Sequence, residues 1–96
     1  MNIEQTTTIE KESLKDFSFP KEDIQLSKAE IDLRNQNIRR ATKLGNNSKN
    51  KCRIIFHDGE SLKLVETTIW AHGEENISLK YGVTIPINRV AAIKIF

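Results

Sequence analysis

At 96 residues the chain has room for one domain at most, and its single cysteine excludes an internal disulfide and offers no metal-ligand spacing. No apolar run is long enough for a membrane span, and the N-terminus lacks the basic-then-apolar order of a signal peptide, so a soluble, cytoplasmic protein is expected. The net charge of +2 hides a segregation: residues 1–27 carry three basic and six acidic groups, whereas residues 28–56 carry eight basic groups against Glu30 and Asp32.

Residues 1–26 mix threonine-rich, polar and acidic stretches with isolated apolar residues (Ile3, Ile9, Leu14, Phe17, Phe19) and sustain neither a helical nor a strand period. Pro20 interrupts any helix there. The segment reads as a flexible acidic tail, the sharper alternative being a tail that docks through Phe17 and Phe19.

At Ser27 the pattern changes. Ser27-Lys28-Ala29-Glu30 has the spacing of a capping box, and Leu26 and Ile31 are placed for a hydrophobic staple. Gly45-Asn46 supplies a C-terminal stop, with Arg39, Arg40 and Lys43 in the last turns, where the helix dipole favours cations. A helix over residues 28–44 is expected, with a narrow apolar stripe of Ile31, Ile38, Ala41 and Leu44 suited to lying across the end or edge of a small sheet. Residues 45–50 read as a polar linker.

From Lys51 onward the period becomes two. Cys52, Ile54 and Phe56 share one face of a first strand, with Arg53, Ile55 and His57 on the other. Asp58-Gly59 is a hairpin signal. The returning run, Ser61 to Ala71, is too long for one flat strand, and its apolar residues change face part-way, so a bulge or bend near Glu66-Thr67 is expected. Short strands follow at Asn76–Lys80, with Ile77 and Leu79 inward, and at Val83–Ile87, where Pro86 either places the strand at an edge or ends its pairing. Asn88-Arg89 makes a tight connection into Val90–Phe96. The expected fold is therefore mainly β, a small five-stranded antiparallel barrel over residues 51–96 with one N-terminal α-helix, 27–96 forming a single helix-plus-barrel domain. A core this small commonly gains burial by oligomerisation, so a homo-oligomer is among the expectations.

The candidate chemistry is sparse. Arg39, Arg40, Lys43, Lys49, Lys51 and Arg53 flank a polar loop, and clustered cations of this kind bind phosphates through counterion release. The bland reading is a solvated helix face answering the dipole. Trp70 and Tyr81 have the π faces needed to stack on bases, although a lone Trp at a strand end more often fills a core or subunit interface. His57 and His72 follow strands without any metal spacing, and Cys52 alternates in phase with Ile54 and Phe56 as a buried thiol would. No phosphate loop, carboxylate pair or nucleophile–base arrangement is present, so no enzyme, cofactor or metal site is expected.

The order of elements resembles the Sm-like fold of Sm proteins and the bacterial RNA chaperone Hfq, within the SH3-type small barrels. The features that carry it are a leading helix, a D-G turn after the first strand, a long bent second strand and the Ile85-Pro86-Ile87-Asn88-Arg89-Val90 run before the last. That resemblance implies ring assembly by pairing of the fourth and fifth strands of neighbours. It also implies RNA contacts from the loops after the second and fourth strands, here His72–Asn76 and Asn88 with Arg89. The first of these loops is acidic at Glu74-Glu75, and the family's glycine in the second strand is missing. The expected function is a non-catalytic nucleic-acid-binding protein whose partner is RNA, single strands included, held by the cations above with Asn88 and Arg89. The alternative is a protein-interaction or assembly module using an exposed strand edge with Trp70 and Tyr81.

Overall fold

The structure, a computed structural model, describes residues 6–96 apart from the side chain of Tyr81. Tyr81 as a stacking candidate, and Ile3 in the leader, thus lie outside the described residues. In chain order the strands are β1 (Thr7–Thr8), β2 (Cys52–His57), β3 (Leu62–Thr67), β4 (Ile69–His72), β5 (Asn76–Leu79), β6 (Thr84–Pro86) and β7 (Val90–Ile95). One long helix, α1 (Lys28–Ser48), precedes β2, and short 3₁₀ turns occupy Lys11–Asp16, Lys80–Gly82 and Ile87–Arg89.

The chain is mainly β with one helix, but the strands do not form a single closed five-stranded barrel. They lie in two sheets, of order β1-β3-β2-β7 and β4-β5-β6. The expected bend supplies the physical reason. The long strand breaks at Thr68, so β3 pairs with β2 while β4 pairs with β5, and one run of chain serves both sheets. Between the sheets lies the core, from Cys52, Ile54 and Phe56 through Val65 and Ile69 to Ile77, Leu79, Ile85, Val90 and Ile93.

The β2–β3 hairpin turns on Gly59, at φ 103°, a conformation glycine adopts without a Cβ penalty. Asp58 Oδ1 accepts from the backbone N–H of Glu60 and of Ser61, which fixes the turn. Strand β6 is an edge, the first of the two outcomes that Pro86 allows. The flanking bonds Leu79 N–H to Val83 O and Ile87 N–H to Glu75 O make Ile77–Ile85 the hydrogen-bonded pair, so the Pro86 nitrogen faces away from β5 and no ladder bond is missing.

The capping box is present in both directions: Ser27 Oγ accepts from Glu30 N–H and Glu30 Oε1 accepts from Ser27 N–H. The C-terminal end differs from expectation. The helix runs through Gly45 to Ser48 and ends on Lys49 in the left-handed conformation, φ 55°. Gly45 is buried inside the helix, where an added Cβ would run into Ile69 O and lie 2.8 Å from Thr68 Cγ2. The glycine permits contact between helix and strand bend, and the linker shortens to two residues, 49 and 50, plus Lys51.

Helix α1 packs on β7 and β4, bridging the two sheets where they are not joined by the bend. It also caps their backbone: Arg34 Nη1 donates to Val90 O, Asn37 Nδ2 to Ile93 O and Asn46 Nδ2 to Trp70 O.

Residues 6–26 are not a loose tail. Strand β1 runs parallel to β3, and Ile9 N–H donates to Leu64 O. Leu14 is buried in the core, and Phe17 and Phe19 pack edge-on against Phe56 at 5.8 and 5.7 Å between ring centres. Farther on, Ile24 packs with Ile55, Leu62 and Ala91 on the opposite face of the larger sheet. That face is apolar at its centre, and the leader is what covers it.

Candidate nucleic-acid interface

Two groups of expected site residues separate in the structure. The first is the connection between β6 and β7. Arg89 is buried, with only 5 % of its surface exposed. Its Nε donates to His57 O at 3.0 Å and its Nη1 to Glu22 O at 2.6 Å, and its Nη2 meets His57 Nδ1 at 3.1 Å, a nitrogen that also accepts from Gly59 N–H. A planar guanidinium with five donors suits this joint between leader, hairpin and 3₁₀ turn, and leaves Arg89 no free face for a phosphate. Asn88 is engaged likewise, donating to Lys21 O and Asp23 Oδ1. Both residues fasten the leader through these bonds.

Beside them a groove of about 810 Å³ opens between the leader, the first turns of α1, the β4–β5 turn and the start of the 87–89 turn. It does join the two loops that the family resemblance singles out. Its charged lining is mixed, however, with Asp23, Glu74 and Glu75 against Lys21 and Arg34. Arg34 itself is drawn into the structure, burial lowering its pKa while Asp23 opposes that shift.

The second group lies on α1 and the connector after it. Arg39, Arg40, Lys43, Lys49 and Lys51 are all exposed. On α1 the first three fall within an arc of about 100° and point away from the face that buries Ile38, Ala41 and Gly45. Among the described residues none of these five cations takes part in an ion pair. No Asp or Glu occurs anywhere between Leu33 and His57 to neutralise them. Because α1 runs on to Ser48, its last turn holds no basic residue, so Arg39, Arg40 and Lys43 lie too far back for the dipole to explain them.

Arg53 departs from this group. It projects from the outer face of β2, 3.5 Å from Glu66 and over the ring of Phe96 at 4.7 Å. Lys94 is opposite it in register on β7 and exposed, a cation that the alternation of the last strand could have revealed.

Trp70, a candidate for base stacking or for filling a core or subunit interface, is not in the core: 48 % of its surface is exposed. Cys52 is buried, and burial pushes its thiol up to about 12, which leaves no thiolate for nucleophilic chemistry at neutral pH. Among the described residues no three His, Cys, Asp or Glu side chains converge as metal ligands, and no helix is long and apolar enough to cross a membrane. Compared with known families, curated proteins and solved structures, the chain matches no family model, no curated protein and no solved structure.

Proposed function

We propose that the protein is a non-catalytic RNA-binding protein that engages phosphates with the outward face of α1 and the connector behind it, through Arg39, Arg40, Lys43, Lys49 and Lys51. The observation that carries this reading is that these five exposed cations, clustered within thirteen residues of chain, have no acidic partner among the described residues and no structural task. Uncompensated like charges held near one another repel, and a polyanion relieves that repulsion while its own counterions are released.

The resemblance to the Sm-like fold belongs to the same proposal. A leading helix, a bent strand shared by two small sheets and a 3₁₀ turn before the last strand support it. The ring and RNA contacts of that family are not part of the proposal. Asn88 and Arg89 are committed to the leader, the other loop is acidic, and backbone carbonyls of β7 are taken by Arg34 and Asn37 of α1.

Titrating a fluorescent, unstructured RNA oligonucleotide with the protein at several salt concentrations tests the proposal. Five neutralised phosphates on a single strand give a log–log slope of about −3.5, which is roughly a 100-fold loss of affinity from 50 to 200 mM salt. Absence of binding at 50 mM salt would reject it. The rival reading, an assembly module, draws on the open outer edge of β6 and on exposed Trp70. It predicts a mass in light scattering that rises with concentration and no salt-dependent RNA binding.

A further inference from the structure

Trp70 sits at an irregularity of the smaller sheet. The β4–β5 register goes from Ile69–Leu79 directly to Ala71–Ser78, so Trp70 is the extra residue of a β-bulge. A bulge leaves its extra residue unpaired and re-aims the side chain. Here Ile69 stays fully buried while the indole beside it is 48 % exposed. The backbone of Trp70 is also anchored to the helix. Asn46 Nδ2 donates to Trp70 O and to Thr42 O, each at 3.0 Å. Asn46 lies about one helical turn beyond Lys43 and three residues before Lys49, so the backbone that carries the half-exposed indole is fastened beside the C-terminal part of the cationic surface.

We infer that Trp70 is a stacking platform for an unpaired base, and that the cationic surface of α1 therefore takes nucleic acid as a single strand. This rests on the RNA-binding reading above and deepens it. An indole face offers sequence-tolerant stacking to any base, but only to a base whose face is free, which excludes the interior of a duplex. The cations and the indole then divide the work. Lys43 and Lys49 follow the backbone, and Trp70 accepts a base turned toward the sheet.

Trp70 is the only tryptophan in the chain, so intrinsic fluorescence reports on it alone. The test titrates the full chain at 50 mM salt with an oligouridine, and separately with that strand annealed to its complement. Quenching of the tryptophan emission by the single strand, and none by the duplex, is expected. Trp70→Ala should weaken single-strand binding about 5- to 150-fold and leave the salt slope unchanged, while Trp70→Phe, which keeps an aromatic face, should restore much of it. Salt-dependent binding without quenching, or with equal affinity in Trp70→Ala, overturns the stacking platform and leaves the cationic surface standing. Absence of any binding at 50 mM salt removes both. A Trp70→Ala change that alters the mass in light scattering but not RNA affinity assigns the indole to self-association and overturns the inference.

Discussion

Asp58 shows how much one side chain does at a turn. Its burial would by itself raise the carboxyl pKa, but the ammonium of Lys63 at 2.9 Å and the N–H groups of Ser61 and Glu60 outweigh that and hold it at about 2. The folded value therefore lies below the ordinary 3.8, so the stabilisation is fully present above about pH 4 and fades as pH falls through 2. Urea unfolding of wild type and Asp58→Asn should show a constant difference in midpoint from pH 7 to about 5, which shrinks below about pH 4. A difference that grows toward acid would contradict the assignment. Arg89 teaches the opposite lesson at the same scale. Its charge is evident in the sequence, but burial depends on Glu22 and His57 arriving from distant parts of the chain. A cation in a turn looks alike whether it faces solvent or closes a joint.

At the scale of single elements, α1 carries both the most legible and the least legible signals. The capping box could be read directly because Ser27 and Glu30 satisfy each other within one turn. The hairpin at Asp58-Gly59 and the bend in the long strand were legible for the same reason, being local chemistry and a local change of phase. Gly45 could not be read locally. A glycine followed by Asn46 serves as a helix stop or as a point of close approach, and only the position of Ile69 O decides between them. Gly45→Ala tests the close approach. Better helix propensity alone would stabilise by about 1 kcal/mol. The clash with the strand backbone should outweigh that, for a net loss of about 1 to 2 kcal/mol in chemical denaturation. A stabilised variant would mean that the helix and the bend are not in contact as described.

Across the whole molecule, the leader is the largest element that the sequence offered only as an alternative, a tail docking through Phe17 and Phe19. Its apolar residues are isolated because each docks singly, Leu14 into the core, Phe17 and Phe19 on Phe56 and Ile24 on the opposite face beside Ile55. No period arises from such contacts. The converse clue was in β2, where Ile55 lies out of phase with Cys52, Ile54 and Phe56 and so demands its own cover. Phe19 is half-buried, so Phe19→Ala should cost about 2 kcal/mol, less than the 3 to 5 of a fully buried Phe, and lower the melting temperature by about 10 °C. An unchanged melting temperature would return residues 6–26 to the status of a tail.

The division of labour in this molecule is between a leader that seals the β core and a helix whose outward face has charge without structural employment. Reversing Arg39, Arg40 and Lys43 together to Glu tests that division most directly, with Lys28→Glu as the control because Lys28 lies at the far end of α1 beside Asp32. The reversed protein should keep its melting temperature and lose RNA binding at 50 mM salt, with any residual binding reduced to a log–log salt slope of about −1.4 for the two remaining contacts. Lys28→Glu should bind as wild type. Equal RNA affinity in the reversed protein and the wild type would contradict the assignment of that face to RNA.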